Sequence, residues 1–181
     1  MELRTQLAIV AAVAVAWSAG RFVRVRSVLD GAADADRASL ASLEGRVARD
    51  PADVRATRAL LRRYYDQGMV RLVLDSARRA PASVQGDGAV SLVVARATEA
   101  MGDVRAAQGV VGGALSRCTA VPESLLEGAG CDVRTQTELA MESAALDRMV
   151  EWNVTPLSDP ARASVAHEMA TRPVRITARV P

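Results

Sequence analysis

Two segments of this chain decide its fold: LLRRYYDQGMVRLVLDSARRA at residues 60–80 and VARATEAMGDVRAAQGVVGGA at residues 94–114. Their turn glycines, Gly68 and Gly102, lie 34 residues apart, and aliphatic or small residues occupy the same positions around both. A period of this length is typical of stacked helix pairs, in which each pair is too small to bury its own apolar face. The sequence therefore predicts an all-α fold of antiparallel helix pairs with one shared core, and it favours binding over catalysis.

The shared positions resemble the tetratricopeptide repeat, a helix-turn-helix unit of the same length. They are Leu60/Val94, Tyr64, Gly68/Gly102, Val73/Ala107, Ala77/Val111 and Ala80/Ala114. The resemblance covers residues 54–117. Thr57, Ser91 and Thr98 replace aromatic residues of the family, and Pro81 ends the second helix of the first pair early. The resemblance implies a short solenoid that serves as an adapter, with a polar groove on the first helices of the pairs. Its predicted partner-binding residues are Thr57, Arg58, Arg62, Ser91 and Arg96.

Aspartates mark the predicted helix starts, because their side chains accept hydrogen bonds from the first free N–H groups of a helix. Asp50-Pro51 is expected to begin the first helix of the first pair. Met69 and Leu72 are expected on the buried face of the second helix of that pair. The second pair is predicted at about 88–101 and 103–117, after the turn Gly86-Asp87-Gly88. Asp132 and Asp159-Pro160 begin a last pair, with Val165 and Met169 on the inward face of its short second helix.

The predicted helix at 103–117 contains Gly109, Gly112 and Gly113. Each glycine destabilises a helix interior by up to about 1 kcal/mol relative to alanine. Two explanations stay open: another backbone approaches this helix closely, or the helix frays near Gly112.

Composition limits the classes of function. The 181 residues suit one domain plus an appendage, and aromatic residues make up only 3%, so the core must consist of Ala, Val and Leu. All 23 basic residues are arginine, which is typical of a GC-rich bacterial genome, and the net charge is only +2. Arginine doublets such as Arg62-Arg63 and Arg78-Arg79 are isolated among acids, so we expect no nucleic-acid partner.

The N-terminus differs from the rest of the chain. Residues Leu7 to Trp17 are uninterruptedly apolar, a length that favours a secretory signal over a spanning helix. Arginines that follow at Arg21, Arg24 and Arg26 instead favour an inner-membrane helix with a cytoplasmic domain. We expect a signal peptide or membrane anchor at 1–30, a linker at 31–36, the helical repeat domain at 37–172 and an extended tail at 173–181.

The two cysteines, Cys118 and Cys131, bracket a loop with Pro122 and Gly128. Such a pair is typical of a local disulfide in an oxidising compartment, although two reduced, buried thiols fit as well. The disulfide favours an exported or membrane-anchored protein whose domain is periplasmic.

Motifs for catalysis or cofactors are weak. His167-Glu168 begins a zinc-protease motif, but Thr171 stands where the second histidine belongs, so His167 is expected to be structural. Gly86-Asp87-Gly88 lacks the strand and the third glycine of a phosphate-binding loop, which leaves a turn between repeats. We therefore expect no enzyme, no metal, no cofactor and no small-molecule substrate.

The prediction is a non-enzymatic adapter that binds another protein of the bacterial cell envelope, and the membrane if its N-terminal helix is retained. An alternative is a structural small subunit of a membrane-associated complex, docked through the N-terminal helix and the C-terminal tail. In that tail Val174, Ile176 and Val180 alternate with polar residues, a strand signal.

Overall fold

The structure, a computed structural model, describes residues 39–171. Predictions for the segments 1–30, 31–36 and 173–181, including the apolar stretch Leu7 to Trp17, lie outside these residues. The chain divides between Ser42 and Leu43, and apart from residues 39–42 the features described below belong to the part that begins at Leu43. Within residues 39–171 no helix combines the length and apolar character needed to cross a membrane.

Helices make up the described chain and residues 39–171 contain no β-strand, so the all-α prediction is confirmed. The helices are α1 (39–49), α2 (Val54–Asp66), α3 (Val70–Arg79), the short α4 (Ala82–Gln85), α5 (Gly88–Ala100), α6 (Val104–Ala120), α7 (Val133–Trp152) and α8 (Pro160–Thr171), with a 3-10 turn at Glu123–Leu125. α2 with α3, α5 with α6, and α7 with α8 form hairpins, because short connections join helices that pack against each other.

The first two hairpins repeat each other closely. α2 and α5 each contain 13 residues, and Leu60 and Val94 occupy the same position along them. Both turns use a glycine with a left-handed backbone, Gly68 at φ 72° and Gly102 at φ 87°, a conformation that glycine adopts without steric penalty. Asp53 and Asp87 cap the two helices in the same way, each accepting from the N–H three residues on.

Packing runs from each helix to its neighbours. α5 contacts α2, α3, α6 and α7, whereas α3 and α6 both pack against α5 and no Cα of α3 lies within 8 Å of a Cα of α6. The largest core lies between α5, α6, α7 and α8 and is built from small and aliphatic side chains, among them Val111, Leu139, Leu146 and Met149. This composition agrees with the scarcity of aromatic residues in the sequence.

Three details of the sequence prediction are wrong. The first hairpin begins at the Asp53 cap and not at Asp50-Pro51, because residues 51–52 form a turn in which Asp50 binds the N–H of Ala52. Val165 and Met169 are exposed, since α8 packs through Ala163 and Ala166, whose small side chains let it approach α7 closely. Met69 and Leu72 are likewise exposed, because α3 is short and buries only Val73 and Ala77.

Candidate functional site

The N-terminus of α5 is fixed by a buried carboxylate. Asp87 is 2% exposed and accepts hydrogen bonds from the N–H of Val90 at 2.9 Å and from Nε of Arg58 at 2.8 Å. A second guanidinium nitrogen of Arg58 donates to its other oxygen, which completes a two-point ion pair. Because every oxygen of Asp87 has a partner, this buried charge is fully compensated.

Close packing around α5 explains two glycines. A Cβ on Gly88 would lie 2.5 Å from the carbonyl oxygen of Gly130 and 3.0 Å from Sγ of Cys118, and one on Gly130 would collide with Asp87. Cys118 and Cys131 form a disulfide beside Gly88, so the predicted pairing is confirmed. The Gly86-Asp87-Gly88 segment is thus the turn and cap that leads into α5.

One side of α5 lines an apolar groove. The groove lies between α3, α5 and α6, where the backbones of α3 and α6 stay more than 8 Å apart between Cα atoms, and its volume is about 660 Å³. Its apolar surface comes from residues of all three helices, Leu74, Ala77, Val90, Val94 and Val110. A cavity of this size accommodates several side chains of a partner segment.

Glycines form part of the groove where it meets α6. α6 continues without a break from Val104 to Ala120, so it does not fray near Gly112. Gly109 and Gly113 line the groove, and a Cβ on Gly109 would meet no atom within 4 Å. No backbone of the described chain therefore approaches Gly109, and this stretch of α6 is open to another molecule.

The polar side chains along the groove already bond to the protein itself. Ser91 Oγ donates to the carbonyl of Asp87 and accepts from Arg117, and Thr98 donates to the carbonyl of Val94. The groove therefore offers a partner an apolar floor and the positive charges of the arginines that line it. Arg71, Arg78 and Arg117 line it together with a single acid, Asp75, so the rim carries a net positive charge.

The other side of α5 lines a smaller, polar cavity of about 280 Å³. We call Glu99, Glu142 and His167 the Glu–His cluster. His167 Nε2 lies 2.8 Å from Oε1 of Glu99, and Arg96 donates to Oε2 of Glu142 at 3.2 Å. The cluster joins α5, α7 and α8, and Tyr65 of α2 also lines the cavity.

Burial shifts the ionisation of this cluster. Desolvation of the Glu142 carboxyl, followed by the proximity of Glu99, raises its pKa to about 7, although Arg96 opposes the shift. Burial acts to raise the pKa of Glu99, but the hydrogen bonds with His167 and Glu142 and the charges of His167 and Arg96 together outweigh it, so this pKa is lowered. The same hydrogen bond raises the pKa of His167 against its desolvation. Glu142 is therefore the weaker acid of the two carboxyl groups.

One oxygen of this cluster lacks a hydrogen-bond partner. Glu142 is 4% exposed, and its Oε1 accepts no hydrogen bond from the described residues. A hydrogen bond between the carboxyl groups of Glu142 and Glu99 requires a proton on one of them. Deprotonated Glu142 thus keeps a buried, unsatisfied oxygen, in contrast to Asp87.

The five residues predicted to bind a partner are not brought together on one surface. Thr57 and Ser91 are buried, and Arg58 is engaged by Asp87. Arg96 lines the polar cavity and pairs with Glu142 and Glu138, while Arg62 is exposed on α2. Their role in binding stays a prediction, and two of the five offer almost no surface to a partner.

Sequence reasoning missed the two buried glutamates, although a signal exists. Glu142 stands three residues after Leu139 and four before Leu146, both fully buried, so it occupies the apolar stripe of α7. Glu99 follows the buried Ala95 by one helical turn in the same way. A charged residue within an apolar stripe at helical spacing predicts a buried, compensated charge.

Comparisons with known proteins assign no family. No protein-family model, curated protein or solved structure matches the chain. The proposals below therefore depend on the geometry described above.

Proposed function

We propose that this chain is a non-enzymatic helical adapter of the bacterial cell envelope, built as a tetratricopeptide-like stack, which binds an acidic, amphipathic helix of another protein. The observation that carries the proposal is the apolar groove between α3, α5 and α6, about 660 Å³ in volume. An apolar face of this kind, left open between packed helices, is the usual receptor for a helical segment.

Shape favours a helix as the occupant. α3 and α6 both contact α5 and leave a gap between them, so an inserted helix would pack against three helices at once. Gly109 presents no side chain, and the space next to its Cα is empty. A partner backbone can therefore approach α6 closely at this point, as it can where glycine lines a helix interface.

Charge favours an acidic partner. Arg71, Arg78 and Arg117 line the groove against one carboxylate, Asp75, which already pairs with Arg78. Complementary charges speed association and fix the orientation of the partner more than they add to affinity. We expect apolar residues at helical spacing on the buried face of the partner, flanked by Asp or Glu.

Photo-crosslinking from two glycines of α6 tests this proposal. A photoreactive amino acid replaces Gly109, which lines the groove, or Gly112, which is also exposed with free space around it but does not line the groove. We expect adducts from position 109 in the native host, mapping by mass spectrometry to one acidic amphipathic segment. A synthetic peptide of that segment should then bind the purified protein.

The control position decides the outcome. Adducts that form equally from positions 109 and 112, or crosslinked segments without acidic and apolar character, would exclude the groove as the binding site. A mapped peptide that shows no affinity for the purified protein would have the same consequence.

A further inference from the structure

The Glu–His cluster combines three kinds of observation that point to a bound ion. One ligand atom from each of Glu99, Glu142 and His167 lies within 4.8 Å of the other two. All three residues line the same cavity. Oε1 of Glu142, in a side chain that is 4% exposed, has no hydrogen-bond partner among the described residues.

We propose that Glu99, Glu142 and His167 form a binding site for one divalent transition-metal ion. This inference goes beyond the proposed adapter function and does not depend on it. Its ligands come from α5, α7 and α8, so a bound ion would connect the middle hairpin to the last one.

Charge around the cluster matches a divalent cation. The two carboxylates of the ligand set, Glu99 and Glu142, lie beside the guanidinium of Arg96, and the neighbouring Glu138 pairs with both Arg96 and Arg134. With a neutral imidazole the two ligand carboxylates carry two negative charges, which one divalent ion neutralises, and before an ion binds the group that includes Glu138, Arg96 and Arg134 still has one excess negative charge. Arg96 occupies Oε2 of Glu142 and so leaves Oε1 to the ion.

The donor set indicates the class of metal. Two carboxylates with one imidazole suit Zn²⁺, Mn²⁺ or Fe²⁺, whereas Ca²⁺ and Mg²⁺ prefer oxygen donors alone. The His167 side chain is 39% exposed, so an ion can reach the cluster from solvent. The remaining coordination positions would be filled by water, since the protein supplies three donors.

The test uses Zn²⁺ as the probe with full-length, untagged, metal-free protein. His167 is the only histidine of the chain, so a single imidazole signal in an NMR spectrum reports on the site. We expect saturable uptake of one equivalent of Zn²⁺ by calorimetry, with a shift of the His167 signal that follows the same titration. Mg²⁺ at the same concentration should shift it little.

Three variants separate coordination from nonspecific attraction. Glu142→Gln and His167→Ala should weaken Zn²⁺ binding by at least about tenfold, since even indirect partners of metal ligands contribute that much. Glu138→Gln is the matched control: it removes a neighbouring charge on the same helix, outside the ligand set, and we expect less than about a threefold effect.

Several results would overturn the proposal. They are an unchanged His167 signal at one equivalent of Zn²⁺, uptake that does not saturate, or equal weakening by Glu142→Gln and Glu138→Gln. If a ligand variant is unfolded by circular dichroism, the wild-type titration of the His167 signal alone gives the decision.

Discussion

The two sides of α5 differ in chemistry: one side is apolar, and the other is polar and charged. On one side Val90 and Val94 face an apolar groove that no described residue fills. On the other side Glu99 and Arg96 face a cavity in which the charges are buried but incompletely matched. The first side lacks an apolar partner and the second side lacks a positive charge.

At a third region, the N-terminus of α5, the buried charge is fully paired. Asp87 has a partner for each oxygen and lies against Gly130, and the adjacent Gly88 lies against the disulfide, so this junction is structural. Binding is therefore expected where apolar surface or buried polar atoms lack partners within the protein. A change at the junction should disturb both sides of α5, whereas a change on one side should leave the other intact.

The largest effect is expected from Asp87→Ala. It leaves the half-buried guanidinium of Arg58 without its partner and removes the cap of α5, and breaking a buried ion pair costs about 3–5 kcal/mol. Chemical denaturation should show this loss in the free energy of unfolding.

Asp103→Ala is the matched control for this change. Asp103 caps α6 in the same way but is exposed, so its loss should lower stability by about 1 kcal/mol. Equal effects of the two variants would show that the Arg58–Asp87 pair contributes nothing beyond the cap.

Loss of the disulfide should have the next largest effect. Cys118 and Cys131 are 13 residues apart, and closing a loop of about 15 residues stabilises a protein by about 3 kcal/mol. Cys118→Ser combined with Cys131→Ser should lower the free energy of unfolding by this order, measured by denaturation beside the oxidised wild type. An unchanged stability would mean that packing alone fixes the N-terminus of α5.

The Glu–His cluster, on the polar side of α5, should make the protein less stable as pH rises. The folded-state pKa of Glu142, about 7, exceeds its ordinary value of 4.5, so its contribution is complete below pH 4.5 and is lost as pH rises through 7. His167, with a raised pKa, changes in the same direction above pH 6.5. Glu99, with a lowered pKa, contributes above pH 4.5 and loses its contribution only at lower pH.

Between pH 5 and pH 8 the metal-free protein should therefore lose on the order of 2–3 kcal/mol of stability. Arg96, Glu138 and Tyr65 also face or line this region. Denaturation in the presence of a chelator measures the effect, and Glu142→Gln should flatten the profile. A profile of equal slope in the variant would contradict the shifted pKa of Glu142.

The smallest effect concerns the glycines of α6. Gly109→Ala and Gly112→Ala should each raise the free energy of unfolding by up to about 1 kcal/mol, because both lie inside the helix with free space around them. Thermal denaturation checks this. A destabilised Gly109→Ala alone would mean that the groove is filled by the protein itself.

Much of the fold follows from the sequence because its signals are local. The turn glycines Gly68 and Gly102, the Asp103 and Asp132 caps, and the cysteine spacing each act within a few residues or a short loop. The first helix start was misplaced because Asp50-Pro51 and Asp53 offer two caps in succession. Local signals alone do not show which of two adjacent candidate caps begins the helix.

The site was less predictable because it depends on contacts between distant residues. Glu99 and His167 are 68 residues apart, and Arg58 and Asp87 are 29 apart. The spacing of residues in the sequence does not predict that Arg58 pairs with a buried carboxylate rather than facing solvent. The groove is harder still to predict, since it arises from the separation between the backbones of α3 and α6.

Binding of the crosslinked partner segment to two leucine variants tests the central claim most directly. Gly109→Leu fills the groove beside α6, whereas Gly112→Leu adds the same side chain outside the groove. Fluorescence anisotropy with the labelled peptide should show at least tenfold weaker binding to Gly109→Leu, about 1.4 kcal/mol, and wild-type affinity for Gly112→Leu. Equal affinities for both variants would contradict the account.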